Sequence, residues 1–301
     1  MAAVLTAGSL GLPAAARAQQ AASAPLPDVR QLMQEVQEHQ KQLDKVRENY
    51  TYTSLEITED VDAAGNVKKT ETEEDDNFFV NGHLIARTVK KDGKPLTGHE
   101  LDKENERVTK LVEKAEKTPP GQPLAGPSIG VSRLLEIMDV SNPRRAMFRG
   151  RPTIVFDFAG RKNAKTHGLA EDASKKLKGT IWIDEADRQV AQLEVSFEDN
   201  FRIGGGLLAT IQKGSSFEFQ QAPVNAGKDM PSATGKDMPS AAGDERAAAN
   251  DELWLPTGGE GTMQARLMLV KGVRQRFKER DYGFKRFRVE TEQTKGTGNR
   301  E

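Results

Sequence analysis

The 301-residue chain contains no cysteine. Its fold can have no disulfide framework and must be held by its core, and the acylated cysteine that anchors a lipoprotein is excluded. Histidine is scarce, with His39, His83, His99 and His167 the only four. No two are spaced i, i+4, and no second histidine follows His99-Glu100, so a zinc-binding helix is excluded. Charge of one sign is lacking too: 44 Lys and Arg face 45 Asp and Glu, which leaves no global field to favour nucleic acid. No later segment is apolar for long enough to span a bilayer. Carboxylates are plentiful, yet none forms an isolated pair in apolar surroundings, as acid/base catalysis would need.

Charge is patterned even though it balances. Nine acidic residues lie between Glu56 and Asp76, and nine basic residues between Arg266 and Arg288. These segments read as solvated strand faces that could pair across a sheet, or the basic one could meet anionic lipid or a partner. At the N-terminus, Ala2 to Leu12 is a short apolar run broken by Pro13, and Ala16-Arg17-Ala18 is an A-x-A cleavage site. This predicts a signal peptide over residues 1–18, although no Lys or Arg precedes the run. Residues 19–27 read as a disordered leader. A periplasmic, soluble protein without a lipid anchor is therefore expected.

One domain is expected over residues 28–290. Asp28 caps a first helix, with Gln31 completing a capping-box pattern and Val29, Leu32, Met33, Val36, Leu43 and Val46 on one face. Strands follow from Tyr50, with turns at Ala64-Gly65-Asn66 and Asn81-Gly82. A second helix is predicted from Thr97 to Lys117, and a short third carries Val131, Leu134, Leu135 and Met138. GKDMPSA occurs at Gly227 and again at Gly235, so residues 222–250 read as a disordered low-complexity insertion within a hairpin. Residues 291–301 form a polar tail.

Two motifs imitate catalytic or cofactor signatures. Gly126-Pro127-Ser128-Ile129-Gly130 matches the nucleophile elbow, but the proline-rich approach to it cannot be a central strand, so Ser128 is expected to cap the next helix. Gly204-Gly205-Gly206-Leu207-Leu208-Ala209 fits a dinucleotide fingerprint, but strand rather than helix follows it. No catalytic residue, metal ligand or cofactor is expected.

The most informative segment is Lys178 to Phe197. It reads as two strands around the turn Glu185-Ala186-Asp187-Arg188. Ile181 and Ile183 share one face of the first; Ala191, Leu193, Val195 and Phe197 share one face of the second. Phe156, Phe158, Trp182, Leu193, Val195, Phe197, Phe217, Phe219 and Trp254 are expected to fill a core, or else to line a cavity for an apolar ligand.

Gly179-Thr180-Ile181-Trp182-Ile183-Asp184, Arg188 to Leu193, and Glu252-Leu253-Trp254-Leu255-Pro256 resemble segments of the LolA-like superfamily of periplasmic outer-membrane lipoprotein carriers. The resemblance implies an α+β fold: a single large curved antiparallel sheet, an incomplete barrel, with helices packed on its concave face. It further implies binding of a lipid, acyl chain or lipoprotein without catalysis. The alternative is a non-enzymatic envelope scaffold or sensor with a filled core, meeting an envelope partner through its charged strand faces.

Overall fold

Period-two alternation along the chain becomes one antiparallel sheet in the computed structural model, which describes residues 25–120, 122, 124, 129–225, 252–268 and 270–286. The expected signal peptide, most of the leader and insertion, Ser128 and the polar tail lie outside the described residues. In chain order the strands are β1 (Tyr50–Val61), β2 (Val67–Val80), β3 (His83–Lys91), β4 (Lys94–Pro95), β5 (Met138–Phe148), β6 (Arg151–Gly160) and β7 (Leu177–Asp184). There follow β8 (Val190–Phe197), β9 (Phe201–Ile203), β10 (Ala209–Ile211), β11 (Ser216–Asn225), β12 (Glu252–Leu267) and β13 (Lys271–Arg286). The helices are α1 (Val29–Arg47), α2 (Gly98–Lys117), α3 (Val131–Ile137) and α4 (Leu169–Ser174).

The strand order is β4-β3-β2-β1-β13-β12-β11-β8-β7-β6-β5, with β10 added to β12 and β9 to β10. The two ends of this path do not pair, so the sheet is open. Among the described residues it has 13 strands. Met138, expected to continue a helix, instead begins β5, and β4, β9 and β10 are too short to leave a periodic signal. Strand β11 runs to Asn225 and pairs with Glu252 of β12, so the first four residues of the expected insertion are strand. The acidic and basic segments do meet: β1 pairs with β13, and Arg276 Nε lies 3.1 Å from Glu59.

One sheet face is dry. Phe156 pairs with Ile181, Ile181 with Leu193, and Leu193 with Phe219, so all four point the same way. Leu32, Met33 and Val36 of α1 and Leu134 and Leu135 of α3 complete this core with Ile154, Phe158, Ile183, Val190 and Val195. Each large side chain buried here contributes about 1.5–3 kcal/mol. A bulge between Trp182 and Ile183 pairs Ile183 with Val190, leaving Ala191 as the extra residue. Ala191 therefore leaves the face assigned to it from alternation and joins Leu43 and Trp254 in a second cluster.

Local chemistry sets the helix ends. Asp28 caps α1 by accepting from the Gln31 N–H at 2.8 Å, while the Gln31 side chain turns to Glu35 instead of closing a capping box. Helix α3 takes Gly130 as its N-terminal cap residue. Helix α2 lies against β3 and satisfies its outer edge: Glu104 accepts from the Thr88 N–H at 2.8 Å, and Arg107 donates to the Ala86 carbonyl at 2.7 Å. At the other rim, β5 carries Pro143 and an irregular register between Ser141 and Arg144.

The turn after β7 is fixed by charge. Asp184 is 1% exposed, and its Oδ1 accepts from the backbone N–H groups of Ala186 and Asp187 at 3.0 and 2.8 Å. Arg151 donates to Asp184 and to Asp187, each at 2.5 Å, and its guanidinium sits 5.5 Å from the centre of the Trp254 ring. Burial would raise the Asp184 pKa, but Arg151 and the two turn N–H groups outweigh it and hold the carboxyl below its ordinary value. Arg151→Ala should cost about 3 kcal/mol in urea denaturation, since it leaves a buried carboxylate unpaired. Adding Asp184→Asn should recover part of that loss; a single-variant loss under about 0.5 kcal/mol would show that the pair does not hold the turn.

Candidate functional site

A trough of about 960 Å³ opens on the sheet face that α1 and α3 do not cover. Its position follows from register. One row of cross-strand partners runs Asp157, Thr180, Glu194, Glu218, Glu260, Lys278, Ile57, and all of these line the trough. The next row on that face runs Lys178, Ser196, Ser216, Thr262, Arg276, Glu59, and these line it as well. Between the rows, Phe158, Val195 and Phe217 border the trough while their side chains turn to the core. The lining comes from seven adjacent strands (β6, β7, β8, β11, β12, β13 and β1). Helices α1 and α3 pack on the other face of these strands.

Two glycines make the floor. A Cβ on Gly179 would meet the Glu194 carbonyl oxygen at 1.8 Å, and one on Gly261 would meet the Phe277 ring at 2.4 Å. Strands and rings approach these backbones more closely than any side chain would permit.

The electrostatics are uneven. Arg276 is paired with Glu59, and Asp157 is held below its ordinary pKa by hydrogen bonds from Asn142 and Arg144. Glu194 directly faces Glu218, and Glu218 directly faces Glu260. Like charges set opposite each other across strands destabilise a sheet. Gln192 donates to Glu194 at 2.7 Å, and Gln220 donates to Glu218, which orients these carboxylates without neutralising them. Lys278 reaches Glu260 only at 3.9 Å.

The nine residues proposed from sequence do not converge on one cavity. Phe156, Phe158, Leu193 and Val195 are buried beneath α1 and α3, with Phe197, Phe217 and Phe219 packed against the same core. Trp182 and Trp254 belong to the second cluster, where Trp182 lies 6.3 Å from Phe148 and Trp254 Nε1 donates to Asp187 at 3.0 Å. The charged lining residues left a signal only as polar positions in alternating strands; which of them face one another is set by non-local register. The glycine motif at Gly204–Gly206 is a tight turn with positive φ throughout, between the antiparallel strands β9 and β10, so it is no dinucleotide site. Among the described residues no group of His, Asp or Glu could hold a metal ion.

At the C-terminal end of α1 lies a second polar cluster. Arg47 donates to Asp44 at 3.3 Å and to Gln221, while its Nε has no hydrogen-bond partner. Burial lowers its pKa. Nearby Asp281 is buried with Oδ1 unpartnered, and burial first, then Glu279, push its pKa up to about 8. A raised carboxyl pKa means the folded state binds its proton more tightly than the unfolded chain does. The stabilisation is complete below the ordinary aspartate range and is lost as pH rises through about 8. Asp281→Asn keeps the uncharged form, so thermal unfolding from pH 6 to 9.5 should show a shallower alkaline decline than the parent. Identical declines would exclude Asp281 as the titrating group.

No family model matches the chain, and no curated protein does. Among solved structures, that of a DUF1329 family protein from Desulfovibrio piger overlaps 87% of this chain and 94% of its own, at 8% identity and a TM-score of 0.35. That overlap is too loose to carry a role across.

Proposed function

We propose that this chain is a non-catalytic binding module of the periplasm that holds a cationic polypeptide segment of an envelope partner in its trough. The observation that supports this most directly is the run Glu194–Glu218–Glu260, three carboxylates facing one another across β8, β11 and β12 on the uncovered face. Such a run costs stability in the free protein and is relieved by a cationic ligand. Flanking hydroxyls of Thr180, Ser196, Ser216 and Thr262 offer hydrogen bonds to a polar chain. The apolar residues that an acyl ligand would need are already covered by α1 and α3. The lipid or lipoprotein cargo suggested by the hairpin resemblance would require those helices to leave the core.

A labelled oligolysine peptide and a fluorescent fatty acid, titrated separately, distinguish the two ligands. The peptide should bind, and Glu194→Lys with Glu218→Lys should weaken it by about tenfold or more. Glu218→Gln should weaken it less and raise the free protein's stability by about 0.5 kcal/mol. Saturable fatty-acid binding that ignores these substitutions, with no peptide binding, would replace the polypeptide reading with the carrier one.

A further inference from the structure

The β12–β13 ribbon outruns its neighbour. Strand β1 pairs with β13 as far as Asp60 and Gln275, whereas β12 and β13 stay paired to Leu267 and Lys271. Strand β10 lies along the far end of β12, with Ala209 opposite Leu267, and the Met268 N–H donates to the Leu208 carbonyl at 3.1 Å. Two turns thus meet at one tip. That tip presents Leu207, Leu208, Leu267, Met268 and Val270, between 37% and 85% exposed.

Turn chemistry does not require these residues. Tight hairpin turns favour Gly, Asn and Asp, because one or more positions need positive φ. Here Met268 holds φ 46°, a left-handed conformation uncommon for an unbranched apolar residue and not eased by any side-chain hydrogen bond. An apolar side chain is kept where a polar one would fold more easily. Isolated exposed apolar residues are ordinary, whereas five at one protruding tip mark a contact surface.

Charge indicates what that surface meets. Arg202, Arg266, Lys271 and Arg274 stand on the same strand ends, all exposed, and none makes an ion pair among the described residues. Neither Phe201 to Gly214 nor Gly261 to Lys278 contains an Asp or Glu. The closest upstream carboxylate, Asp199, is paired with Lys176 at 3.4 Å. Apolar side chains at a tip with a collar of unpaired cations suit the boundary of a bilayer with an anionic surface.

We propose that this tip seats the protein on an anionic lipid surface, with Leu207, Leu208, Met268 and Val270 entering the headgroup boundary and the four cations meeting lipid phosphates. The trough plays no part in this contact, so the proposal goes beyond the polypeptide-binding reading and survives its failure. Vesicle co-sedimentation of the full chain is the test. Binding should be measurable on phosphatidylglycerol-rich vesicles, weak on pure phosphatidylcholine, and reduced by salt. Met268→Asp with Val270→Asp should lower partitioning by about tenfold or more. Arg266→Gln and Lys271→Gln should each lower it about fivefold. Circular dichroism should stay unchanged and the melting temperature should not fall, since all four side chains are exposed and Asp suits the left-handed position of Met268 better than Met does. Met268→Trp should be quenched by brominated lipid if the tip inserts. Equal binding to neutral and anionic vesicles, or binding that none of these variants changes, would overturn the proposal. So would absence of vesicle binding together with self-association abolished by Met268→Asp, which would assign the tip to a second copy of the chain.

Discussion

The structure depends on keeping one face of the sheet dry. Phe156, Ile181, Leu193 and Phe219 lie in a single row because β6, β7, β8 and β11 hold one register. A slip of one residue in any of them would send Asp157, Thr180, Glu194 or Gln220 into the core and bring an apolar side chain out. Helices α1 and α3 close over that row, and the Gln40–Gln189 hydrogen bond at 2.5 Å together with the Gln221 donation to the Val190 carbonyl at 3.0 Å lock the seam beside it. Because the dry face is settled, the opposite face is free to depart from what stability alone would choose.

That freedom is used unevenly. Near the middle of the sheet the uncovered face sets carboxylates face to face, while the far end of the β12–β13 ribbon gathers exposed apolar side chains and cations. Both arrangements break rules that a sheet under selection only for folding would obey, and such departures concentrate where a protein meets something else. The half-buried Arg47 and the buried Asp281 differ in kind. Their unpartnered atoms sit at the end of α1, inside the fold, and bear on its response to pH.

What could be read from the chain was what is encoded locally. The Asp28 cap, the Asn81-Gly82 turn with φ of 49° and 76°, and the two strands around Glu185 are each set by a few consecutive residues. Long-range pairing was not legible in the same way. Strand β5, with Pro143 inside it, has no alternating pattern and exists because β6 offers it an edge. The bulge that expels Ala191 cannot be seen in alternation, since bulges are defined by the partner strand. The same limit explains the site. Glu194, Glu218 and Glu260 are far apart in sequence, and only register sets them face to face. The apolar residues were legible as buried, but not as covered by helices on the face opposite the opening.

The treatment of the two rims has a consequence for how such a chain folds beside copies of itself. A broad open sheet is a template, and every copy that folds could recruit the next by main-chain pairing. Here a carboxylate and a guanidinium from α2 occupy the outward amide and carbonyl of β3, and a proline and an irregular register interrupt β5. Neither rim presents an unbroken ladder, so growth by strand addition has no starting point at either end, and folding stays a first-order event even in a crowded compartment.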